Sequence, residues 1–173
     1  MSGTLPSLTL VLGGQRSGKS GHAEGLICLD EGAIYVATAQ ALDKEMEERV
    51  GAHKNRRGND WTTVEEPLDL ATALLINDKA GRPILIDSLA MWVSNLLAHD
   101  EDVEKQTLAL IQALETIKSP LVIVSDEVGL GIVPDNALAR RFIDKLGILN
   151  QLIAARATTV IFVTAGLPTL LKG

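Results

Sequence analysis

Aromatic side chains and cysteine are scarce in this sequence. Two Trp, one Tyr and two Phe make up 3% of the 173 residues, too few to build the stacking platforms on which single-stranded nucleic acids lie. Cys28 is the only cysteine, which excludes an internal disulfide and fits a reducing compartment. As a small apolar side chain it is expected to be buried on a helix. Basic residues are outnumbered, 16 against 22 acidic ones, giving a net charge of −6 and a pI near 5.0. A general nucleic-acid binder needs broad basic surface to displace counterions from phosphates, and this composition does not supply it. No apolar run approaches a membrane span. The start MSGTLPSLTLVLGG lacks a basic leader, and its apolar stretch is too short for a secretion signal. The expectation is a cytoplasmic protein without a membrane span or a nucleic-acid partner.

The content that remains is that of a compact fold. Apolar residues make up 46% and charged ones 22%, with mean hydropathy +0.19, well outside the disordered range. No repeat, low-complexity tract or Pro/Ser-rich linker divides the chain, so residues 1–173 are expected to form one domain with a sizeable core.

Apolar runs at Leu8 to Leu12, Ala33 to Ala37, Pro83 to Asp87, Leu121 to Ser125 and Thr159 to Thr164 read as strands covered on both faces. Trp61 to Glu65 reads as a further short strand or an extended loop. Between the runs the period becomes helical. Val103, Thr107, Leu110, Leu114 and Ile117 recur at steps of four and three, as do Leu138, Phe142, Leu146, Leu149 and Ile153. Pro134, Asp135 and Asn136 supply a helix start before the second set. This alternation predicts an α/β fold, a mostly parallel sheet with helices on both faces. Ligands in such sheets bind at the carboxyl ends of the strands. The positions there are Gly13 to Ser20, Thr38 to Gln40, Asp87 and Ser88, Ser125 to Glu127, and Ala165 to Pro168.

Gly13 to Ser20, GGQRSGKS, fits G-x-x-x-x-G-K-[ST] between a strand and a helix, the context that makes this phosphate loop credible and the fold P-loop NTPase-like. Gly13, Gly14, Gln15, Arg16, Ser17 and Gly18 would wrap backbone N–H groups around phosphates. Lys19 would reach the β- and γ-phosphates, and Ser20 would bind Mg²⁺. Asp87 closes a buried strand at the ligand edge and is expected near the metal or nucleotide. Asp126 and Glu127 close another and compete for the same role, or form a solvated acidic turn. Asp126 to Gly129 spells DxxG, yet no N-K-x-D guanine-reading motif follows, which weakens a switch-GTPase reading.

In LGGQRSGKSGHAEGL, YVATAQALDKEMEERV, HKNRRGNDWTTVEEP, IDSLAMWVSNLL, SDEVGLGIVPDNALARRFIDKLGILNQ and the terminal AGLP, the chain resembles the bifunctional adenosylcobinamide kinase/adenosylcobinamide-phosphate guanylyltransferases of adenosylcobalamin synthesis. The resemblance implies phosphorylation of the aminopropanol hydroxyl of adenosylcobinamide by ATP or GTP. GMP then passes from GTP to that phosphate through a guanylylated histidine, giving adenosylcobinamide-GDP and pyrophosphate. It implies His53 as that histidine and nucleotide contacts from the phosphate loop, Thr38, Ala39, Gln40, Lys54, Asn55, Arg56, Arg57, Glu65 and Asp87. It also implies a homotrimer. Gly21 stands where relatives often carry a larger side chain, a change worth about 1 kcal/mol of helix stability. Asp126 stands where relatives commonly have Asn. Some relatives have paired histidines near the nucleophile, whereas Ala52 precedes His53 here.

DKEMEERVGAHKNRR reads as a helix with Met46, Val50 and His53 on one face, Arg49 one turn before the histidine, and Arg56 and Arg57 one turn after. Cations so placed would offset charge on a triphosphate and on departing pyrophosphate, and would disfavour the protonated imidazole. Without the resemblance, a solvated cationic helix face is the plainer reading. His22, just past the phosphate loop, and His99, in a polar turn, have no assigned role. The alternatives are a kinase of another small molecule and a nucleotide-operated binding switch.

Overall fold

The computed structural model describes residues 5–30, 32–40, 60–79 and 82–173. Along these the chain alternates β1 (Leu8–Gly13), α1 (Lys19–Gly25), β2 (Ala33–Ala37), β3 (Trp61–Glu65), α2 (Leu70–Asn77), β4 (Ile84–Asp87), α3 (Leu89–Ala98), α4 (Val103–Leu114), β5 (Leu121–Asp126), α5 (Ala137–Arg156), β6 (Thr159–Thr164) and β7 (Leu167–Lys172). The strands form one sheet in the order β3-β2-β4-β5-β1-β6-β7. All neighbours are parallel except β6 and β7. The expected architecture is therefore present, and Trp61 to Glu65 is a strand at the sheet's edge.

β1, β2 and β5 are apolar at almost every position because both of their faces are covered. Alternation of side chains across the pleat sends Leu8, Leu10, Leu12, Ile34, Val36, Ile84, Ile86 and Ile123 to one face, where they pack with buried residues of α2, α3, α4 and α5. Val11, Tyr35, Leu85, Val122, Val124 and Val163 point to the other, against Ala23 of α1 and Ile27. Trp92 of α3 is wholly enclosed, and its indole N–H donates to the Leu68 carbonyl at 2.7 Å. Burial of so large a polar-tipped side chain depends on that partner.

Four helices begin on a side chain that accepts from the first turn: Asp69 for α2, Ser88 for α3, Asp102 for α4 and Asn136 for α5. Each satisfies backbone donors that have no partner within the helix, a contribution of about 1 kcal/mol. The helix start expected at Asn136 is thus present.

Three local expectations are revised. Cys28 is exposed and lies beyond the end of α1; the short helix stops at Gly25, so Cys28 falls in the connection to β2. Leu138 is exposed, because α5 buries its apolar face only further along, at Leu146, Leu149 and Ile153. Ala165 to Pro168 is not a free strand end: Ala165 and Gly166, with φ of 51° and 79°, turn the chain into β7, and Thr164 pairs with Leu167. Positive φ at both central residues matches the twist of a tight hairpin.

Candidate active site

The carboxyl ends of six parallel strands lie along one edge, and register brings their last residues together. Gly13 stands beside Asp126, and Ala37 stands between Glu65 and Asp87. Most of the expected site residues are brought to this edge by topology. His53, Lys54, Asn55, Arg56 and Arg57, with the whole cationic helix reading, lie outside the described residues.

Between β1 and α1 the chain turns tightly: the Ser17 amide donates to the Gly14 carbonyl at 3.2 Å and the His22 amide to the Gly18 carbonyl at 3.0 Å. Gly13 has no room for a side chain, since a Cβ there would stand 2.6 Å from the Val163 carbonyl oxygen. Gly18 precedes α1 with φ of 93°, a conformation that glycine adopts without strain. The β6–β7 turn buttresses the loop from outside, where the Gly166 amide donates to the Ser17 carbonyl at 2.8 Å. Gln15 and Arg16 are exposed on the loop, while Ser20 is half-buried in the first turn of α1. The Ser17 hydroxyl is buried with no hydrogen-bond partner among the described residues.

Lys19 curls back over this turn. Its ammonium donates to the Gly14 carbonyl at 3.1 Å and pairs with the Asp126 carboxylate at 2.6 Å, the two side chains being 11% and 15% exposed. Asp126 is thus no solvated turn residue but the ionic partner of the loop lysine. Glu127 beside it is half-buried and folds onto its own turn, accepting from the Gly129 amide at 2.7 Å.

Asp87 faces the neighbouring part of the edge and accepts from the Tyr35 hydroxyl at 2.9 Å. Thr38 is sewn to the next residue, its hydroxyl donating to the Ser88 carbonyl and accepting from the Ser88 amide, both at 2.8 Å. The Asn95 amide of α3 donates to the Thr38 carbonyl at 2.7 Å and to the Pro67 carbonyl at 3.2 Å. These bonds tie together the chain where it leaves β2, β3 and β4, and so fix where Thr38, Ala39 and Gln40 begin. Glu65 ends β3 in an exposed position.

Among the described residues no group of three or more His, Cys, Asp or Glu is placed to hold a metal ion. A divalent cation here would depend on a mixed set of hard oxygens, a hydroxyl, a carboxylate and phosphate. Mg²⁺ is commonly held in that way, and the Ser20 hydroxyl and Asp87 carboxylate are donors of the right kind.

Tyr35, Asn95 and Asn150 shape the site and escaped the sequence reading. The usable signal was an amide within an apolar helical stripe: Asn150 follows Leu149, and Asn95 precedes Leu96, on buried faces. A buried amide requires partners.

A glycine-rich loop joining the first strand to a helix, its lysine turned inward at the carboxyl edge of a mostly parallel sheet, defines a P-loop nucleotide-binding protein. The solved structure of the P4 protein from bacteriophage phi6 in complex with ADP agrees in fold, with a TM-score of 0.53 at 14% identity, covering 95% of this chain and 54% of its own. Within that class, residues 9–171 match the family model for cobinamide kinase / cobinamide phosphate guanyltransferase, and the chain belongs to this family. The bifunctional adenosylcobalamin biosynthesis protein CobP of Pseudomonas aeruginosa is 46% identical over 167 residues, spanning 95% of this chain and 96% of the relative. The bifunctional adenosylcobalamin biosynthesis protein CobU of Salmonella typhimurium is 39% identical over 183 residues, spanning 95% and 99%.

Proposed function

We propose that residues 1–173 form one catalytic domain that carries out two successive transfers in adenosylcobalamin biosynthesis. In the first, the aminopropanol hydroxyl of adenosylcobinamide attacks the γ-phosphorus of ATP or GTP, the bond to the β-phosphate oxygen breaks, and the hydroxyl proton is released. In the second, a neutral His53 nitrogen attacks the α-phosphorus of GTP and pyrophosphate departs. An oxygen of adenosylcobinamide phosphate then attacks the guanylyl phosphorus, frees the histidine and yields adenosylcobinamide-GDP.

The observation that carries this reading is Lys19, held inward over a phosphate loop in a chain of this family. Lys19 offsets charge on the β- and γ-phosphates, and the loop amides bind phosphate oxygens. Thr38, Ala39, Gln40, Glu65 and Lys54 to Arg57 contact the remainder of the nucleotide. Ser20 and Asp87 hold Mg²⁺, which when bound draws charge from the phosphate oxygens. The protein works in the cytoplasm as a homotrimer.

Product analysis after incubation with GTP, Mg²⁺ and adenosylcobinamide tests the reading. Adenosylcobinamide-GDP is the expected product. Phosphate transfer alone would mark a kinase of narrower scope, and GTP hydrolysis without transfer a nucleotide-operated switch.

A further inference from the structure

The ion pair between Lys19 and Asp126 is supported from behind by a buried side chain of α5. The Asp126 carbonyl lies past the end of β4, whose last pair with β5 is Asp87 with Val124. The Glu127 amide donates to Gly13 at 3.1 Å, so by the alternation of a parallel ladder the Asp126 carbonyl points to the side that β4 has already left. Asn150 of α5 fills that gap, its amide donating to the Asp126 carbonyl at 3.1 Å. The other end of the same amide accepts from the wholly buried Ser125 hydroxyl at 2.6 Å. A backbone carbonyl can only accept, so the amide has one satisfactory orientation.

From this we infer that Asn150 is a positioning residue of the nucleotide site. It locks the end of β5, so that the Asp126 carboxylate holds the Lys19 ammonium before a nucleotide arrives. Asp126 is then an anion in competition with the incoming phosphates, and a nucleotide must take Lys19 from it. Apparent affinity falls by the fraction of molecules in which Lys19 is so held. Loosening Asp126 therefore tightens nucleotide binding even as it loosens the protein. A purely structural asparagine does the reverse, weakening binding or leaving it unchanged as stability falls.

The inference rests on the reading of Gly13 to Ser20 as a nucleotide loop, and calorimetric titration of the full chain with Mg²⁺ and β,γ-imido-GTP separates the two. Failure of the unaltered protein to bind overturns the loop reading and this inference with it. If it binds, Asp126→Ala should bind about tenfold more tightly. Asn150→Ala should bind about fivefold more tightly with a lowered Tm. In the Asp126→Ala background, Asn150→Ala should change affinity by less than about twofold, because the carboxylate it positions is gone. Should Asn150→Ala not fold, Ser125→Ala frees the amide to turn and is expected to shift affinity in the same direction by a smaller factor. Weaker or unchanged binding in the single variant, or equal effects in both backgrounds, overturns the positioning role while leaving the loop reading intact.

Discussion

The Lys19 ammonium and the Asp126 carboxylate stand 2.6 Å apart, both largely withdrawn from water. Each neutralises the other in a region where a lone charge is expensive, so removing one strands its partner. Lys19→Ala should destabilise the fold by roughly 3 kcal/mol and reduce both transfers on the order of 10²-fold or more if one loop serves them. Adding Asp126→Ala should restore much of the lost stability and none of the lost activity. Thermal unfolding and separate assays of phosphoryl and guanylyl transfer check this. Near-normal guanylyl transfer in Lys19→Ala would mean that the second reaction uses another phosphate site.

Asp87 and Asp126 close strands two residues apart in the β4–β5 register, yet their surroundings differ. Asp126 is committed to a cation, whereas Asp87 accepts a neutral hydroxyl from Tyr35 and keeps its charge available for a metal. Asp87→Asn should leave the Tm nearly unchanged, since an amide oxygen still accepts from Tyr35, and should raise the Mg²⁺ concentration needed for half-maximal turnover about tenfold or more. Wild-type Mg²⁺ dependence in this variant would remove Asp87 from the metal site.

The phosphate loop could be read from the chain because its residues are contiguous and their spacing carries the chemistry. Asp126 could not be assigned in the same way: an acidic residue after an apolar strand looks alike whether it faces water or a lysine, and its partner is distant in sequence. β7 was hidden for another reason. Leu167, Leu170 and Leu171 are exposed, so this strand shows no burial pattern, and Pro168 argues against a strand except at a sheet edge. Apolar periodicity located α4 and α5 but missed where α5 leaves the core, at Leu138. The buried amides Asn95 and Asn150 follow no motif; their roles emerge only when strand ends from separate parts of the chain meet.

Asp78 lies at the end of α2, beside the residues that lead into the amino end of β5, and accepts from the Ser119 amide at 2.9 Å and the Lys118 amide at 3.1 Å. Burial alone pushes its pKa up, but hydrogen bonds from Ser119 and the Lys118 amide, with the Lys118 charge, outweigh that and hold it below the ordinary 3.8. A depressed folded-state pKa means that the carboxylate contributes stability in full above its unfolded value. That contribution is lost as pH falls through the folded value. Asp78→Asn should therefore lower Tm at pH 7, and the gap to wild type should narrow steadily as the solution is acidified below about pH 4. A gap independent of pH would show that the charge contributes nothing and that only the shape of the side chain matters.

His53 offers the most direct chemical test of the second transfer. If its nitrogen bonds to the α-phosphorus of GTP, label in the α-phosphate should remain on the protein after denaturation, and label in the γ-phosphate should not remain in that adduct. The linkage is a phosphoramidate, so it should be lost in acid and survive alkali. His53→Ala should abolish the adduct and guanylyl transfer together. Phosphorylation of adenosylcobinamide should persist at least in part, because the substrate hydroxyl attacks the γ-phosphorus directly and Lys19, Ser20 and Asp87 are untouched. The adduct is the cleaner readout, since a histidine that also orients the nucleotide would depress both activities when removed. An α-labelled adduct of normal yield in His53→Ala would assign the covalent step to another residue and leave His53 without a covalent role.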